Sequence, residues 1–236
     1  MRKELPANPK AFLEGQFLLI NKPKTWTSFD VVNKVRYTLK KKLGIKKIKV
    51  GHAGTLDPLA TGLLLLATGK NTKRLEDLTG LNKQYTGSIQ FGSSTPSYDA
   101  ETEVDETYPT DHLSAAFIEE KLANFRGQIE QVPPVFSAIK VNGVPLYKKA
   151  RKGITVEVKS RSVRIDRFDL VSFESPIMEF LVDCSKGTYI RSLAHDLGKA
   201  CESGAYLKSL VRTKIGAYLL EDAWEVEDFV SAVDEL

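Results

Sequence analysis

Residues 51–62 read GHAGTLDPLATG, and this stretch holds a single carboxylate, Asp57, between glycines and a proline. The nearest histidine is His52, and no cysteine, lysine or second acid stands beside Asp57. The apolar run LLLLA that follows predicts a buried strand, so the turn leads directly into a core element. Turns rich in glycine and proline present side chains to ligands, although an isolated aspartate there more often stabilises the turn itself.

The composition is that of an ordinary globular chain. Of the 236 residues, 42% are hydrophobic and 27% are charged, which suffices for a substantial core in one large or two small domains. The longest apolar run, 63–67, is far too short to span a bilayer, and no apolar signal segment follows the N-terminus. The two cysteines, Cys184 and Cys201, are too few for a disulfide framework. We therefore expect a cytoplasmic protein.

Charge is distributed unevenly along the chain. Residues 221–236 carry seven acidic and no basic side chains, which leaves residues 1–220 with 34 basic and 23 acidic ones, a balance of +11. Residues 40–49, KKKLGIKKIK, contain six lysines. The run is either a solvated helix end with its loop or a patch that faces nucleic-acid phosphates, and charge alone does not choose between these alternatives.

Hydrophobic spacing predicts strands that outnumber helices. We expect strands at 17–20, 62–68, 84–91, 154–173, 177–185 and 207–215. Helices are expected from Thr27 or Ser28 onward, at 71–78, 111–125 and 188–201, and in the acidic C-terminal segment. Because the elements do not alternate regularly, the predicted class is α+β with a mixed or antiparallel sheet.

Three familiar kinds of site do not fit this sequence. The spacing of Gly51, Gly54 and Gly62 matches neither a P-loop nor a dinucleotide fingerprint. A glycosidase-like site needs a second acid, which only a distant residue such as Asp99 or Asp183 could supply through the fold. The histidines are too scattered along the chain to suggest a metal site: His52, His112 and His195.

The run at 51–62 resembles the signature motif of the TruB family of tRNA pseudouridine synthases, in which its aspartate is the catalytic residue. Further stretches agree with the family in the same order along the chain. They are NKPKTWTS at 21–28, LNKQYTG at 81–87, VPPVFSAIKVNGVPLYKKARKG at 132–153 and CSKGTYIRSLAHDLG at 184–198. The third of these is similar to the RNA-gripping loop of the bacterial enzymes. The resemblance extends from about residue 17 to residue 215.

The resemblance implies a catalytic role for three residues. Asp57 is the nucleophile, and Arg191 pairs with it, which would hold the carboxylate in its ionised form and fix its direction. Tyr85 stacks on the target uracil. The reaction breaks the N1–C1′ bond and joins C5 to C1′ without oxidation or group transfer, so neither cofactor nor metal is expected. Whether Asp57 attacks C1′ or C6, and whether Tyr85 removes the C5 proton, stays open.

A second set of residues is expected to bind or shape the substrate. His52 resembles the histidine that packs against the loop nucleotides as the target is flipped out. Lys22 and Pro23 resemble residues that shape the floor of the site from behind. Leu210 lies where the family has an apolar residue against the base, and Tyr189 belongs to the same substrate-binding set.

The expected function is therefore isomerisation of the T-loop uridine, position 55, of tRNA by a stand-alone monomer whose partner is the tRNA T-arm. The alternative is a non-catalytic RNA-binding or tRNA-folding module, which would need neither Asp57 nor Arg191. Under either hypothesis, the lysines of 40–49 and the basic group near Tyr147 would contact RNA phosphates. That basic group consists of Lys148, Lys149, Arg151 and Lys152.

The resemblance also implies a domain organisation. We expect a flexible leader at 1–14, a pseudouridine synthase domain at 15–220 with a central mixed or antiparallel sheet flanked by helices and RNA-gripping loops, and an acidic helix at 221–236 packed on it. We do not expect the C-terminal RNA-binding domain of many bacterial relatives, because only about twenty residues follow the last family motif. Thr25 stands where the family commonly has glycine, so the local turn is expected to differ.

Overall fold

A computed structural model of the protein describes residues 3–137, 139–141, 143–146, 149, 156 and 158–236. The α-helices include α1 (Ala11–Glu14), α2 (Ser28–Leu43), α3 (Leu75–Thr79), α4 (Ala115–Leu122), α5 (Ile190–Ala200) and α6 (Val226–Glu235). Short 3-10 helices cover Gly69–Arg74, Ala123–Phe125 and Leu220–Asp222. Among the described residues, no helix has the length and apolar character that crossing a membrane requires.

The strands before Tyr147 are β1 (Phe17–Lys22), β2 (Val50–His52), β3 (Thr61–Thr68), β4 (Lys83–Phe91), β5 (Ser93–Ser94), β6 (Glu106–Thr107), β7 (Gly127–Gln131), β8 (Lys140–Val141) and β9 (Val144–Pro145). Those after it are β10 (Arg161–Glu174), β11 (Ile177–Cys184), β12 (Ala205–Ile215), β13 (Tyr218–Leu219) and β14 (Trp224–Glu225).

The chain divides into two compact units, and strands β4 and β12 have residues in both. The first unit consists of residues 1–85 and 210–236, and the second of residues 86–209. In the segment expected to be a flexible leader, α1 is formed and Phe12 is fully buried. The boundaries expected at residues 15 and 220 remain predictions.

Strand β3 is the centre of the first unit. It pairs antiparallel with β1 and β2 and parallel with the end of β12, while β1 pairs parallel with β14. The leucines at 63–66 are fully buried and alternate between two hydrophobic clusters, one on each face of the strand. A strand covered on both faces has to be apolar at every position, which explains the continuous leucine run.

Helix α2 packs against this sheet through one apolar face. Thr27 caps it as expected, since its hydroxyl accepts from the Asp30 N–H and the Asp30 carboxylate accepts from the Thr27 N–H. The buried stripe of Val31, Val32, Val35 and Leu39 shares its cluster with Phe229 and Val233 of α6. Helix α6 begins at residue 226, later than 221, because residues 220–222 form a 3-10 turn and residues 224–225 pair with β1.

The second unit contains an antiparallel sheet in which β10 lies between β7 and β11, with β4 next to β11. Several predicted boundaries were wrong, including that of α3 in the first unit, which begins at Leu75 where 71 was expected because residues 69–74 form a 3-10 helix. Strand β10 begins at Arg161 where 154 was expected, and α4 begins at Ala115 where 111 was expected. Ser114 caps α4 through the Phe117 N–H, which sets the later start.

Cys184 and Cys201 are both buried free thiols, and burial raises the pKa of Cys201 to about 11.

Parallel and antiparallel pairs occur together with flanking helices, which confirms the predicted α+β class with a mixed sheet. Strands β8 and β9 form a small hairpin within the stretch expected to grip RNA. Asn142, Tyr147, Lys148, Arg151 and Lys152, which the sequence singles out in that stretch, lie outside the described residues.

Candidate active site

Asp57 occupies the first position of a tight turn in the first unit. The Ala60 N–H donates to the Asp57 carbonyl at 3.1 Å, so Pro58 lies at the second turn position. The fixed backbone angle of proline suits that position, which explains the Asp-Pro pair in the motif. The side chain of Asp57 is partly exposed, as a residue that must meet a substrate requires.

The backbone is anchored on both sides of Asp57. Before it, the Leu56 N–H donates to Ser28 Oγ at 2.8 Å, at the start of α2. After it, the Pro58 carbonyl accepts from the Thr25 N–H at 2.8 Å. Ser28 is buried, so water does not compete for the first contact. The residues 53–60, which we call the Asp57 loop, are therefore fixed by groups from the N-terminal segment of the chain.

Arg212 supports the same loop from strand β12. It has the largest side chain among the fully buried described residues, with 1% of its surface exposed. Its guanidinium donates to the carbonyls of Leu63 at 2.8 Å, Gly54 at 3.1 Å and Thr55 at 3.5 Å. A buried charge needs several such contacts to offset its desolvation, and here the contacts also fix the course of the loop.

Gly62 is required where β3 passes β12. It pairs with Arg212, has a φ of +103°, and a Cβ there would lie 2.5 Å from the Arg212 carbonyl oxygen. Asn21 accepts from its N–H at 3.1 Å. Any larger residue would push apart the two strands that carry the loop and its supporting arginine.

Lys22 and Pro23 lie behind the Asp57 loop. Lys22 is fully buried, and its ammonium donates to the carbonyls of Trp26 at 2.6 Å, Pro23 at 2.9 Å and Pro58 at 3.5 Å. This geometry suits the role of shaping the floor of the site, expected from the resemblance. Thr25, inside the same turn, has a φ of +73°, a conformation that glycine adopts without strain and a β-branched residue rarely does.

His52 ends strand β2, directly before the Asp57 loop, and is partly buried. Burial lowers the pKa of His52, and the Arg212 guanidinium lowers it further against an opposing contact with the Gly54 backbone. The imidazole is therefore neutral near pH 7, and such a ring can pack against a base without bringing a charge into the site.

Tyr85 and Leu210 complete the first-unit set of expected site residues. Tyr85 lies near the start of β4 with 9% of its surface exposed, and Leu210 lies on β12 with 8% exposed. Leu210 stands two residues before Arg212, on the same face of the strand. Their roles against a base remain predictions.

Arg191 is the second residue of α5, in the second unit, with 5% of its surface exposed. Its guanidinium donates to the carbonyls of Phe136 at 2.9 Å and Ser97 at 3.1 Å, and its Nε lies 3.4 Å from Asp99 Oδ2. Asp99 is itself held by Ser97 Oγ at 2.5 Å and the Glu101 N–H at 3.0 Å. The acid considered above as a distant second carboxylate is thus a partner of Arg191.

Tyr189 precedes α5 and is fixed through its backbone. Its N–H donates to Gln131 Oε1 at 2.8 Å, and its carbonyl accepts from Gln131 Nε2 at 3.0 Å. The guanidinium of Arg161 lies over its ring, 4.5 Å from the centroid. The substrate-binding role of Tyr189 and the pairing of Arg191 with Asp57 both remain predictions.

The sequence did not predict the supporting contacts of three residues, namely Ser28, Asp99 and Arg212. Arg212 had a detectable signal, because strand alternation places it on the same face as Leu210, where a charge is unexpected. Asp99 had none, since its pairing with Arg191 joins segments 92 positions apart. In the lysine run, Lys40, Lys41 and Lys42 lie in the last turn of α2, and Lys42 donates to the Asp234 carbonyl at 3.0 Å.

The chain matches a family model over residues 40–190, described as "TruB family pseudouridylate synthase (N terminal domain)". It is 53% identical to the "tRNA pseudouridine synthase B" of Flavobacterium johnsoniae, over 94% of this chain and 97% of that relative. The relative of the same name from Phocaeicola vulgatus is 52% identical, with 95% of each chain covered.

Solved structures give the same result for the fold. A chain in "Crystal Structure of a Cbf5-Nop10-Gar1 Complex" superposes with a TM-score of 0.67 at 27% identity, covering 93% of this chain. This chain spans only 54% of that solved chain, so that similarity concerns part of the larger protein. The expected pseudouridine synthase fold is confirmed. The family match and the full-length relatives lead to one conclusion: this chain belongs to the TruB family of pseudouridylate synthases.

Proposed function

We propose that the protein isomerises the T-loop uridine of tRNA, position 55, to pseudouridine, with Asp57 as the nucleophile. The observation that carries the proposal is the identity of about half of all residues, over nearly the whole of both chains, to relatives named "tRNA pseudouridine synthase B". The expected reaction and substrate follow from that name, and the motif resemblance adds the residues.

The surroundings of Asp57 support its role. Contacts from Ser28 and Thr25 hold the residues on both sides of it, so the carboxylate starts from a defined backbone position. A nucleophile held in place does not lose freedom again when it reacts, which lowers the barrier. In the reaction the N1–C1′ bond breaks, C5 joins C1′, the proton of C5 is released and N1 gains one.

We expect the protein to act in the cytoplasm as a monomer, and its partner to be the T-arm of tRNA. The lysines at 40–49 of the first unit are candidates for contacts with tRNA phosphates, and so is Lys149 of the loop segment. Phosphate contacts of this kind give affinity and orientation, while the flipped base is recognised by stacking and hydrogen bonds. A neutral His52 next to the Asp57 loop suits the rearrangement of the loop nucleotides.

The experiment is release of tritium from a T-arm stem-loop that carries C5-tritiated uridine. We expect the wild type to release one hydrogen per target uridine, and Asp57→Asn to release none while binding the RNA with similar affinity. Asp77→Asn, an exposed acid on α3 in the same unit, is the matched control and should behave as the wild type.

Two outcomes would contradict the proposal at different points. A wild type that binds the stem-loop but releases no hydrogen would favour the RNA-binding module. Hydrogen release by Asp57→Asn would leave the activity in place and remove Asp57 as its nucleophile.

A further inference from the structure

One face of α2 carries exposed aromatic side chains, to which the proposed function gives no role, together with basic ones. The residues of this face, which we call the α2 outer face, are Phe29, Asn33, Arg36, Tyr37, Lys40 and Lys41. They are separated from Phe29 by 4, 7, 8, 11 and 12 positions, so they lie along the same side of the helix, opposite its buried stripe.

The two aromatic rings are unusually open to solvent. Phe29 has 60% and Tyr37 has 67% of its surface exposed, among the highest values for large hydrophobic residues in the described chain. Neither ring belongs to the two hydrophobic clusters of the first unit described above, so those clusters do not require an aromatic residue at either position. Large exposed apolar side chains of this kind mark contact surfaces.

The α2 outer face is built onto the active-site segment. Ser28, next to Phe29, holds Leu56 of the Asp57 loop. Arg36 lies with its guanidinium 5.9 Å from the centroid of the Phe29 ring and donates to the Val50 carbonyl at 3.0 Å, two residues before His52. The residue before Phe29 and the cation beside its ring thus both contact the segment 50–56 that leads to Asp57.

The charge of this face selects the class of partner. Arg36, Lys40 and Lys41 lie on it, and the lysines at 46, 47 and 49 follow in the chain. The nearby acids are already engaged, since Asp30 serves the cap and Glu227 lies 3.6 Å from Lys34. Exposed aromatic rings between cations are the usual means of binding unpaired nucleotides, in which bases stack and phosphates meet the cations.

We propose that the α2 outer face binds unpaired nucleotides of the substrate RNA, with Phe29 and Tyr37 each stacking on a base. Eight residues separate the two rings, or about 12 Å along the helix axis. This distance exceeds the roughly 3.4 Å between stacked neighbours in a strand, so the rings contact two nucleotides that are not stacked on each other. The inference rests on the proposed function, because the RNA substrate is taken from it.

The test measures the Kd of an unmodified full-length tRNA transcript for the double variant Phe29→Ser with Tyr37→Ser. We expect the Kd to rise at least tenfold for the pair of rings. The ring-retaining variants Phe29→Tyr and Tyr37→Phe should bind as the wild type does. Val171→Ser, which replaces an exposed valine of β10 with 63% of its surface open, is the control for removing surface apolar area.

Two further measurements separate stacking from charge. A perfectly paired RNA duplex offers no unpaired bases, so the double serine variant should bind it as the wild type does. Replacing Lys40 and Lys41 by glutamine should reduce the slope of log Kd against log salt by about two, whereas removing the rings should leave the slope unchanged.

The inference is overturned if the double serine variant binds the transcript within twofold of the wild type. The same result is expected if the rings bind a protein partner instead of RNA. An equal loss of affinity for the duplex overturns it as well. The result is independent of catalysis, because a wild type that shows ring-dependent RNA binding without hydrogen release would refute the proposed function and leave this inference standing.

Discussion

Two buried arginines, one in each unit, are held in opposite ways. Among the described residues, Arg212 donates to the carbonyls of Leu63, Gly54 and Thr55 and has no carboxylate partner. Arg191 has Asp99 at 3.4 Å in addition to two carbonyls. Carbonyl contacts fix the path of a backbone, whereas a carboxylate fixes the direction of the arginine itself. The difference indicates that Arg212 supports a loop and that Arg191 is the side chain being positioned.

The largest effect is expected when the support of the Asp57 loop is removed. Arg212→Met keeps most of the buried volume but leaves three carbonyls without their donor, which should lower the free energy of unfolding by about 4 kcal/mol. Hydrogen release should fall at least about 100-fold, because the Asp57 loop loses its fixed position. Urea unfolding and the tritium assay measure the two effects.

Arg74→Met is the matched control for that change. Arg74 is exposed and lies 5.2 Å from the ring centroid of Phe17, so its loss should change the free energy of unfolding by only about 0.5 kcal/mol. Equal losses in the two variants would show that Arg212 does not support the loop in particular.

A smaller effect is expected when the charge opposite Arg191 is removed. Asp99→Asn keeps an acceptor for Ser97 and the Glu101 N–H but loses the ion pair, which should lower the free energy of unfolding by about 2 kcal/mol. Hydrogen release should fall because Arg191 is less firmly directed. Asp166→Asn, in an exposed pair with Arg164, should cost less than about 1 kcal/mol. Full activity in Asp99→Asn would contradict a positioning role for Asp99.

Replacement of Thr25 should strengthen the segment that supports the Asp57 loop. Thr25→Gly removes the strain of a φ of +73° and should raise the free energy of unfolding by about 1 kcal/mol, after the greater freedom of glycine in the unfolded chain is counted. Thr25→Ala retains a Cβ and should show no comparable gain. A gain of the same size with alanine would mean that the hydroxyl or the branch, and not the backbone angle, carries the cost.

The last effect concerns pH in the second unit and is confined to acidic conditions. Burial, together with Lys199, lowers the pKa of His195 from 6.5 to about 4 against an opposing effect of Asp105, and its ring stacks on Tyr98 at 3.7 Å. A folded pKa below the unfolded value means that stability is fully present above pH 6.5 and is lost as the pH falls toward 4. His195→Gln should reduce the fall in the free energy of unfolding between pH 6.5 and pH 4, measured by urea unfolding at several pH values. If that fall is unchanged in the variant, other groups cause it.

Local patterns of the sequence were sufficient for much of the first unit. The cap at Thr27, the buried stripe of α2 and the leucines of β3 each depend on neighbours within one turn or one strand. The start of α4 was placed too early because the cap is Ser114, three residues after the predicted start. The start of β10 was missed because the alternating pattern continues upstream of the first residue that pairs with β7.

The site was predictable to the extent that its residues stand in recognisable motifs. Asp57, Tyr85, Arg191 and Lys22 could be named as candidates in that way, whereas the supporting contacts of Ser28, Asp99 and Arg212 could not be foreseen. Arg212 and Lys22 act on backbone carbonyls, which every residue has, so the sequence of the Asp57 loop contains no record of these contacts. The pairing of Asp99 with Arg191 depends on the fold bringing two distant segments together.

The carbonyl contacts of Arg212 have a consequence for how this protein can vary. Because the arginine binds the backbone at Gly54, Thr55 and Leu63, it places no chemical demand on the side chain of Thr55, which is exposed. A saturation library at position 55 should therefore tolerate many residue types, whereas a library at position 212 should recover arginine almost alone. The conformation of the Asp57 loop therefore depends on Arg212, a residue 155 positions away from Asp57 in the sequence.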